Sequence, residues 1–183
     1  VWVLVFAGVV AWAIAAALVA AAIEPRIDGV IAHQSGAGSG SLSRNKLGET
    51  VSAITSDYPH WFSKRFAEWG GKEDAMPVDQ HFLLALSAPR PVFLGNARRD
   101  VWSDPAGSFL AAQGADPVWQ LYGREGLDQP DLRAFHPEAD IAFWIRPGTH
   151  GITEEDWPAF LEFLQAHFAP PGAVAASTGL AQR

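Results

Sequence analysis

The chain has 183 residues, of which 49% are apolar, enough for one domain with a buried core and too many for a disordered chain. Its formal net charge of −7, with Lys and Arg scattered along the sequence, disfavours nucleic acid as a partner. The lack of Cys excludes disulfides, thiolate metal sites and a Cys nucleophile.

The first 22 residues, VWVLVFAGVVAWAIAAALVAAA, contain no charged side chain and allow two interpretations. Their length suits a membrane span, which needs about 20 apolar residues. Alternatively, the β-branched and aromatic residues 1–6 form a buried strand and the Ala/Leu-rich residues 11–23 form a helix. A signal peptide fits poorly, because the stretch has no basic region and no small-residue cleavage site.

The rest of the chain alternates between predicted strands and helices. Strands are predicted at 30–34, 90–97 and 140–146, and helices at 48–58, 59–70, 76–88, 104–115 and 153–168. Asp104 is a predicted N-cap, and Thr153 with Asp156 forms a predicted capping box. Residues 169–183 show no periodicity and are predicted to be disordered. The alternation predicts an α/β fold whose parallel sheet has helices on its faces.

Loops after the carboxyl ends of such strands usually carry the chemistry. His150 lies in RPGTHG after the last predicted strand, and Asp100 lies in NARRDVWSDP after the preceding one. A carboxylate there can fix the tautomer of an imidazole that acts as a general base. Taken singly, each residue also suits a surface loop. The order acid-then-His is that of α/β-hydrolases.

Four longer stretches resemble the glucuronoyl methylesterases of carbohydrate esterase family 15. These are HQSGAGSGSLSRNKLGE, YPHWFSKRF, MPVDQHFLLALSAPRPVFLGNARRDVWSDPAGSFLAA and WIRPGTHGITEEDW, and the resemblance covers about residues 24–168. It implies a partial α/β-hydrolase domain over residues 1–168, the C-terminal half of the fold. It also implies a periplasmic or extracellular serine esterase without metal or other cofactor, acting on esters that link glucuronoxylan to lignin alcohols.

The resemblance assigns roles to four residues of this chain. His150 matches the catalytic base and Asp100 the catalytic acid. Glu49 matches the residue that binds the uronate sugar, and Trp102 matches a tryptophan beside that sugar. Gln34 stands where members that use a second acid position have Glu. Without the resemblance, Glu49 would be a charge in a helix first turn and Trp102 a packing residue.

The departure from the family lies at the nucleophile, which is expected on a strand-to-helix turn about 23 residues before Gln34. That position is Ala11, and the arginine and lysine that follow in the family are Trp12 and Ala15 here. The first hydroxyl in the chain is that of Ser35, which lies in the wrong loop. The family's N-terminal half is also not matched.

Three functions therefore stay open at this point. The chain is a weak or inactive esterase, a non-catalytic glucuronoxylan-binding remnant, or a membrane-anchored remnant with residues 1–23 as a span. Metal hydrolysis is poorly supported, because the six His lack the H-x-x-x-H spacing of a zinc site.

Overall fold

The computed structural model describes residues 3–6 and 11–169, with the side chains of residues 16–169. The strands are β1 (Val3–Phe6), β2 (Gly29–His33), β3 (Val92–Ala97) and β4 (Ile141–Arg146). The helices are α1 (Ala11–Ile23), α2 (Val51–Asp57), α3 (Lys64–Ala67), α4 (His81–Ala85), α5 (Pro105–Leu121) and α6 (Asp156–Phe168). Two 3₁₀ turns lie at Ser43–Asn45 and Glu73–Ala75.

The four strands form one parallel sheet in the order β1-β2-β3-β4. Gly29 is in register with Val3, and Val92 is in register with both Val30 and Ile141. All residues of β2 and β3 are buried, as expected for strands covered on both faces. Because every strand runs the same way, the loops that follow them meet at one edge of the sheet. The predicted α/β fold class is confirmed.

The sheet separates two apolar layers, since alternate side chains of a strand point to opposite faces. On β2, Val30 and Ala32 join one cluster while Ile31 joins the other. The first cluster packs against α1, α4 and α5, and the second packs against α6. The core is therefore a helix–sheet–helix sandwich that leaves the carboxyl edge of the sheet for the loops.

The apolar N-terminal stretch divides into a strand and a helix. Residues 3–6 pair with β2, and α1 buries Ala17, Leu18 and Ala21 against the sheet. Within the described residues, none of the helices combines the length and apolarity needed to cross a membrane. The strand–helix interpretation is confirmed there, whereas the predicted turn at 7–10 lies outside the described residues.

Two predicted helices are shorter in the structure. Most of 59–70 is turn, and α3 begins only after Ser63, whose hydroxyl accepts a hydrogen bond from Phe66 N at 3.2 Å. Most of 76–88 is also irregular, because the Asp79 carboxylate accepts bonds from Ser43 N and Gln80 N, both at 2.8 Å. The bond from Ser43 N ties the chain before α4 to a loop that is remote in sequence. The predictions for both helices were wrong in length.

The helix predicted at 104–115 is longer in the structure. Asp104 caps it as predicted, accepting from Gly107 N at 3.0 Å, but α5 continues through Pro117 to Leu121. A proline usually ends a helix in sequence-based reasoning. Here the burial of Trp119, which is 0% exposed, holds the last turns against the core. Of the predicted disordered tail at 169–183, residues 170–183 lie outside the described residues.

A substitution in α6 tests whether this helix packs against the sheet. Phe163 is 0% exposed and packs against Phe93, with ring centroids 5.4 Å apart. Phe163→Ala is expected to lower the free energy of unfolding by about 3–5 kcal/mol, because it leaves a cavity under the sheet. Urea denaturation followed by circular dichroism measures this. Leu161→Ala, at a position 52% exposed on the same helix, is the control and should cost much less. Equal losses from the two variants would contradict the assigned layer.

Candidate active site

The loops at the carboxyl edge bring together residues that are far apart in sequence. Gln34 directly follows β2, Asp100 lies three residues after β3, and His150 lies four residues after β4. Ala11, the first residue of α1, follows β1 at the same edge. Because the strands are parallel, all four predicted positions lie at the carboxyl edge of the sheet.

His150 and Asp100 form a hydrogen-bonded pair. The Nδ1 atom of His150 lies 2.7 Å from Oδ2 of Asp100. The Asp100 side chain is 2% exposed, whereas that of His150 is 48% exposed. Ser103 N donates to the other carboxylate oxygen at 3.3 Å. A carboxylate at Nδ1 keeps a proton there and leaves Nε2 of the neutral ring as the basic nitrogen.

The charges of this pair stabilise each other. The hydrogen bond to Asp100 raises the pKa of His150 above its ordinary value of 6.5, against the opposing effects of burial and of the Arg146 charge. Burial alone would raise the pKa of Asp100, but hydrogen bonds from His150 and Ser103 outweigh it and the pKa is lowered. The arrangement therefore favours an imidazolium beside a carboxylate.

The pair opens into a cavity of about 180 Å³. Its lining includes both partners of the pair and the two predicted sugar-binding residues, together with Gln34, Gly36, Ala37, Ser39, Ile54, Tyr58, Trp61, Phe62 and Ser103. The structure thus brings all four predicted site residues with described side chains (His150, Asp100, Glu49 and Trp102) into one cavity.

Glu49 and Trp102 are held side by side by their backbones. Glu49 N donates to the carbonyl oxygen of Trp102 at 3.0 Å. A Cβ at Gly48, where φ is +71°, would lie 2.5 Å from that same oxygen, so this close approach requires glycine. Partial burial and the charge of Asp57 raise the pKa of Glu49, although a hydrogen bond from Trp102 opposes them. The Trp102 ring is 57% exposed and open to a ligand.

Aromatic residues of the two predicted helices at 48–58 and 59–70 line the same cavity. Tyr58 and Trp61 stack with ring centroids 3.9 Å apart, and Phe62 stacks on Phe66 at 5.0 Å. The sequence predicted helices over 48–58 and 59–70, and none of these aromatic residues was assigned to a site. The signal that points to a site is the dense run of aromatic residues itself.

The Gln34 side chain makes a contact across the edge of the sheet. It is 3% exposed with φ +56°, and its Oε1 accepts a hydrogen bond from Gly151 N at 2.5 Å. Its side chain therefore contacts the neighbour of His150 across the sheet edge. This contact was not predicted from the sequence.

Ser35, which carries the first hydroxyl in the chain, lies outside the cavity. The Ser35 hydroxyl is buried and lies 2.5 Å from that of Ser39. The side chains of Ala11, Trp12 and Ala15 lie outside the described part of the structure. The assignments of His150, Asp100, Glu49, Trp102 and Ala11 stay predictions.

A buried ion pair beneath the site was also missed. Arg146 Nε lies 2.8 Å and 3.0 Å from the two oxygens of Asp156, and both side chains are at most 2% exposed. Asp156 also accepts from Thr153 N at 2.9 Å, which is one of the two bonds of the predicted capping box. The predicted helix start at Thr153 was wrong, because α6 begins at Asp156 and Glu155 precedes it without a side-chain cap. Burial alone would raise the pKa of Asp156, but bonds from His33, Thr153 and Arg146 lower it.

The pKa of His150 tests the pairing. Asp100→Asn should bring the pKa of His150 down towards or below 6.5, because the amide removes the anion that favours the charged ring. The measurement is an NMR titration of the ring protons. Asp128→Asn is the matched control, since Asp128 contacts the exposed His136 at 3.3 Å and should leave His150 unchanged.

The sign of the accompanying stability change follows from linkage. The raised pKa of His150 contributes stability that is complete below about pH 6.5 and lost as pH rises through the folded-state value. The lowered pKa of Asp100 contributes stability above about pH 3.8 that is lost as pH falls. The free energy of unfolding of the wild type should therefore exceed that of Asp100→Asn by the largest amount between those two pH values. A difference in this free energy that stays constant at all pH values would contradict the pairing.

Sequence comparisons agree with this geometry. The family described as glucuronyl esterase, fungi, matches residues 12–123. A carbohydrate esterase from an unknown prokaryotic organism is 44% identical over 153 residues, which are 81% of this chain and 35% of that protein. The 4-O-methyl-glucuronoyl methylesterase of Hypocrea jecorina is 33% identical over 58% of this chain and 25% of its own length.

Solved structures give the same result. A promiscuous esterase of carbohydrate esterase family 15 from a marine bacterial metagenome has a TM-score of 0.80 and 44% identity, covering 84% of this chain and 39% of that one. A glucuronoyl esterase from Solibacter usitatus has a TM-score of 0.78 and 37% identity, covering 85% and 40%. The chain spans a quarter to two fifths of the length of these relatives. It belongs to carbohydrate esterase family 15, the glucuronoyl esterases.

Proposed function

We propose that this chain recognises glucuronate esters with a site of the 4-O-methyl-glucuronoyl methylesterase type that lacks its nucleophile. The observation that carries the proposal is the 2.7 Å contact between His150 and Asp100 in the same cavity as Glu49 and Trp102. This combination joins an acid–base pair to a carboxylate and an exposed indole, which together suit a sugar ester.

The acid–base pair has a defined task in a serine esterase. Nε2 of His150 takes the proton of the attacking hydroxyl, and Asp100 stabilises the imidazolium that results. Ala11 offers a methyl group, which has neither a proton to give nor a lone pair to attack with. Loss of a nucleophile costs on the order of 10⁶ in turnover. Ester hydrolysis by this chain is therefore weak or absent.

Sugar recognition does not need the nucleophile. The Glu49 carboxylate accepts hydrogen bonds from sugar hydroxyls when ionised, and the exposed indole of Trp102 offers an apolar face to a pyranose ring. A glucuronoxylan chain is too large to enter a cell, so the proposed ligand places the protein in the periplasm or outside the cell.

An esterase assay tests the catalytic part of the proposal. Purified chain should hydrolyse benzyl glucuronate no faster than buffer, because no hydroxyl stands at position 11. His150→Ala should give the same rate as the wild type, as measured by chromatography of the released benzyl alcohol. Turnover well above buffer that His150→Ala abolishes would show that the pair activates another nucleophile.

A second candidate function is glucuronoxylan binding without catalysis, favoured by the placement of Glu49 and Trp102 beside the stacked Tyr58 and Trp61. Titration with glucuronoxylan oligomers should change the tryptophan fluorescence. Trp102→Ala should raise Kd about fivefold to tenfold, since loss of an aromatic contact costs about 1 kcal/mol. Trp157→Ala, at a 49% exposed position on α6 outside the cavity, is the control. No fluorescence change at millimolar oligomer would count against this function.

A further inference from the structure

The loop that carries His150 needs an external constraint. It joins β4 to α6 through Gly148 at φ +98° and Gly151 at φ +128°. Glycines in these conformations give the backbone freedom that other residues lack. The two glycines lie on either side of His150. The position of the imidazole ring therefore depends on contacts from outside the loop.

Arg146 holds this loop from beneath. Its Nη1 donates to the carbonyl oxygen of Pro147 at 2.9 Å, and its Nη2 donates to those of Thr149 at 3.3 Å and Gly151. The donors therefore reach carbonyls on both sides of His150. The Arg146 side chain is only 2% exposed, so water does not compete for these bonds.

Asp156 fixes the guanidinium in turn. Both carboxylate oxygens contact Nε of Arg146, and Asp156 is 0% exposed at the first residue of α6. The loop is thus tied at one end to β4 and at the other to α6 through one buried ion pair. Removing either member of a buried ion pair leaves an uncompensated charge, which strongly destabilises the fold.

Gln34, the residue after β2, holds the loop at a second point. Its Oε1 accepts from Gly151 N at 2.5 Å, while Arg146 binds the carbonyl of the same residue. The bond to an N–H group fixes which end of the amide is oxygen. Gly151 is therefore held at both of its backbone polar groups, by Arg146 of β4 and by Gln34, the residue after β2.

We propose that Arg146 and Gln34 are positioning residues that hold the loop so that Nδ1 of His150 faces Asp100. The inference rests on the proposed role of His150 as the base. It adds to that role two residues that do not themselves carry out acid–base chemistry. Neither needs to contact the ligand, and both act through the backbone on either side of the imidazole.

Arg146→Lys separates geometry from charge. Lysine keeps the positive charge, but its single ammonium cannot reproduce the fork that spans Asp156 and three carbonyls. The pKa of His150 should fall by about one unit, a tenfold loss of proton affinity, because the imidazole no longer aligns with Asp100. An NMR titration measures it. Arg124→Lys, an exposed change near the start of β4 at the opposite end of the sheet, is the matched control and should have no effect.

Gln34→Met provides a second variant outside the ion pair. Methionine keeps the length of the side chain but removes the acceptor for Gly151 N. The pKa of His150 should fall in the same direction, and amide exchange at Gly151 should accelerate. If Arg146→Lys does not fold, this variant decides alone, and an unchanged pKa overturns the proposal.

A double-variant comparison distinguishes positioning from general destabilisation. In an Asp100→Asn background, neither substitution should lower the pKa of His150 further, because the contact through which they act is already gone. An equal fall in both backgrounds overturns the proposal. The titration is independent of sugar binding and turnover, so failure of the proposed function leaves this result readable.

Discussion

The ion pair between Arg146 and Asp156 is the constraint on which the site depends. Two opposite charges removed from water are favourable only when their remaining hydrogen-bonding groups are satisfied. Here the satisfying partners are the carbonyls of the loop after β4 and the backbone N–H of Thr153. The hydrogen bonds that satisfy the buried ion pair therefore also fix the conformation of the loop. The position of His150 follows from that conformation.

A parallel sheet converts this local constraint into a shared site. The loop after β4 reaches back across β3 to Gln34 at the end of β2, and on the way it brings His150 to Asp100. The cavity beside the pair is completed by segments from between β2 and β3, including Glu49 and the aromatic turn at Tyr58 and Trp61. The paired His150 and Asp100 and the residues predicted to contact a sugar thus come from separate parts of the chain, and the order of the strands brings them together.

The sequence was sufficient where periodicity and loop position determine structure. The strands, α1, the cap at Asp104 and the pairing of His150 with Asp100 follow from local patterns and the parallel topology. It was insufficient where a long-range contact overrides a local pattern. Asp79 bonds a loop 36 residues away and shortens α4, and no local signal in Arg146 reveals three carbonyl partners in its own following loop.

The hydrogen bonds of His150, Asp100 and Arg146 do not require the side chain of Ala11. Alanine has no polar side-chain atom, so none of the hydrogen bonds that hold His150, Asp100 or Arg146 can depend on that side chain. The geometry of the His150–Asp100 pair and of the loop after β4 is therefore set by groups other than the side chain at position 11.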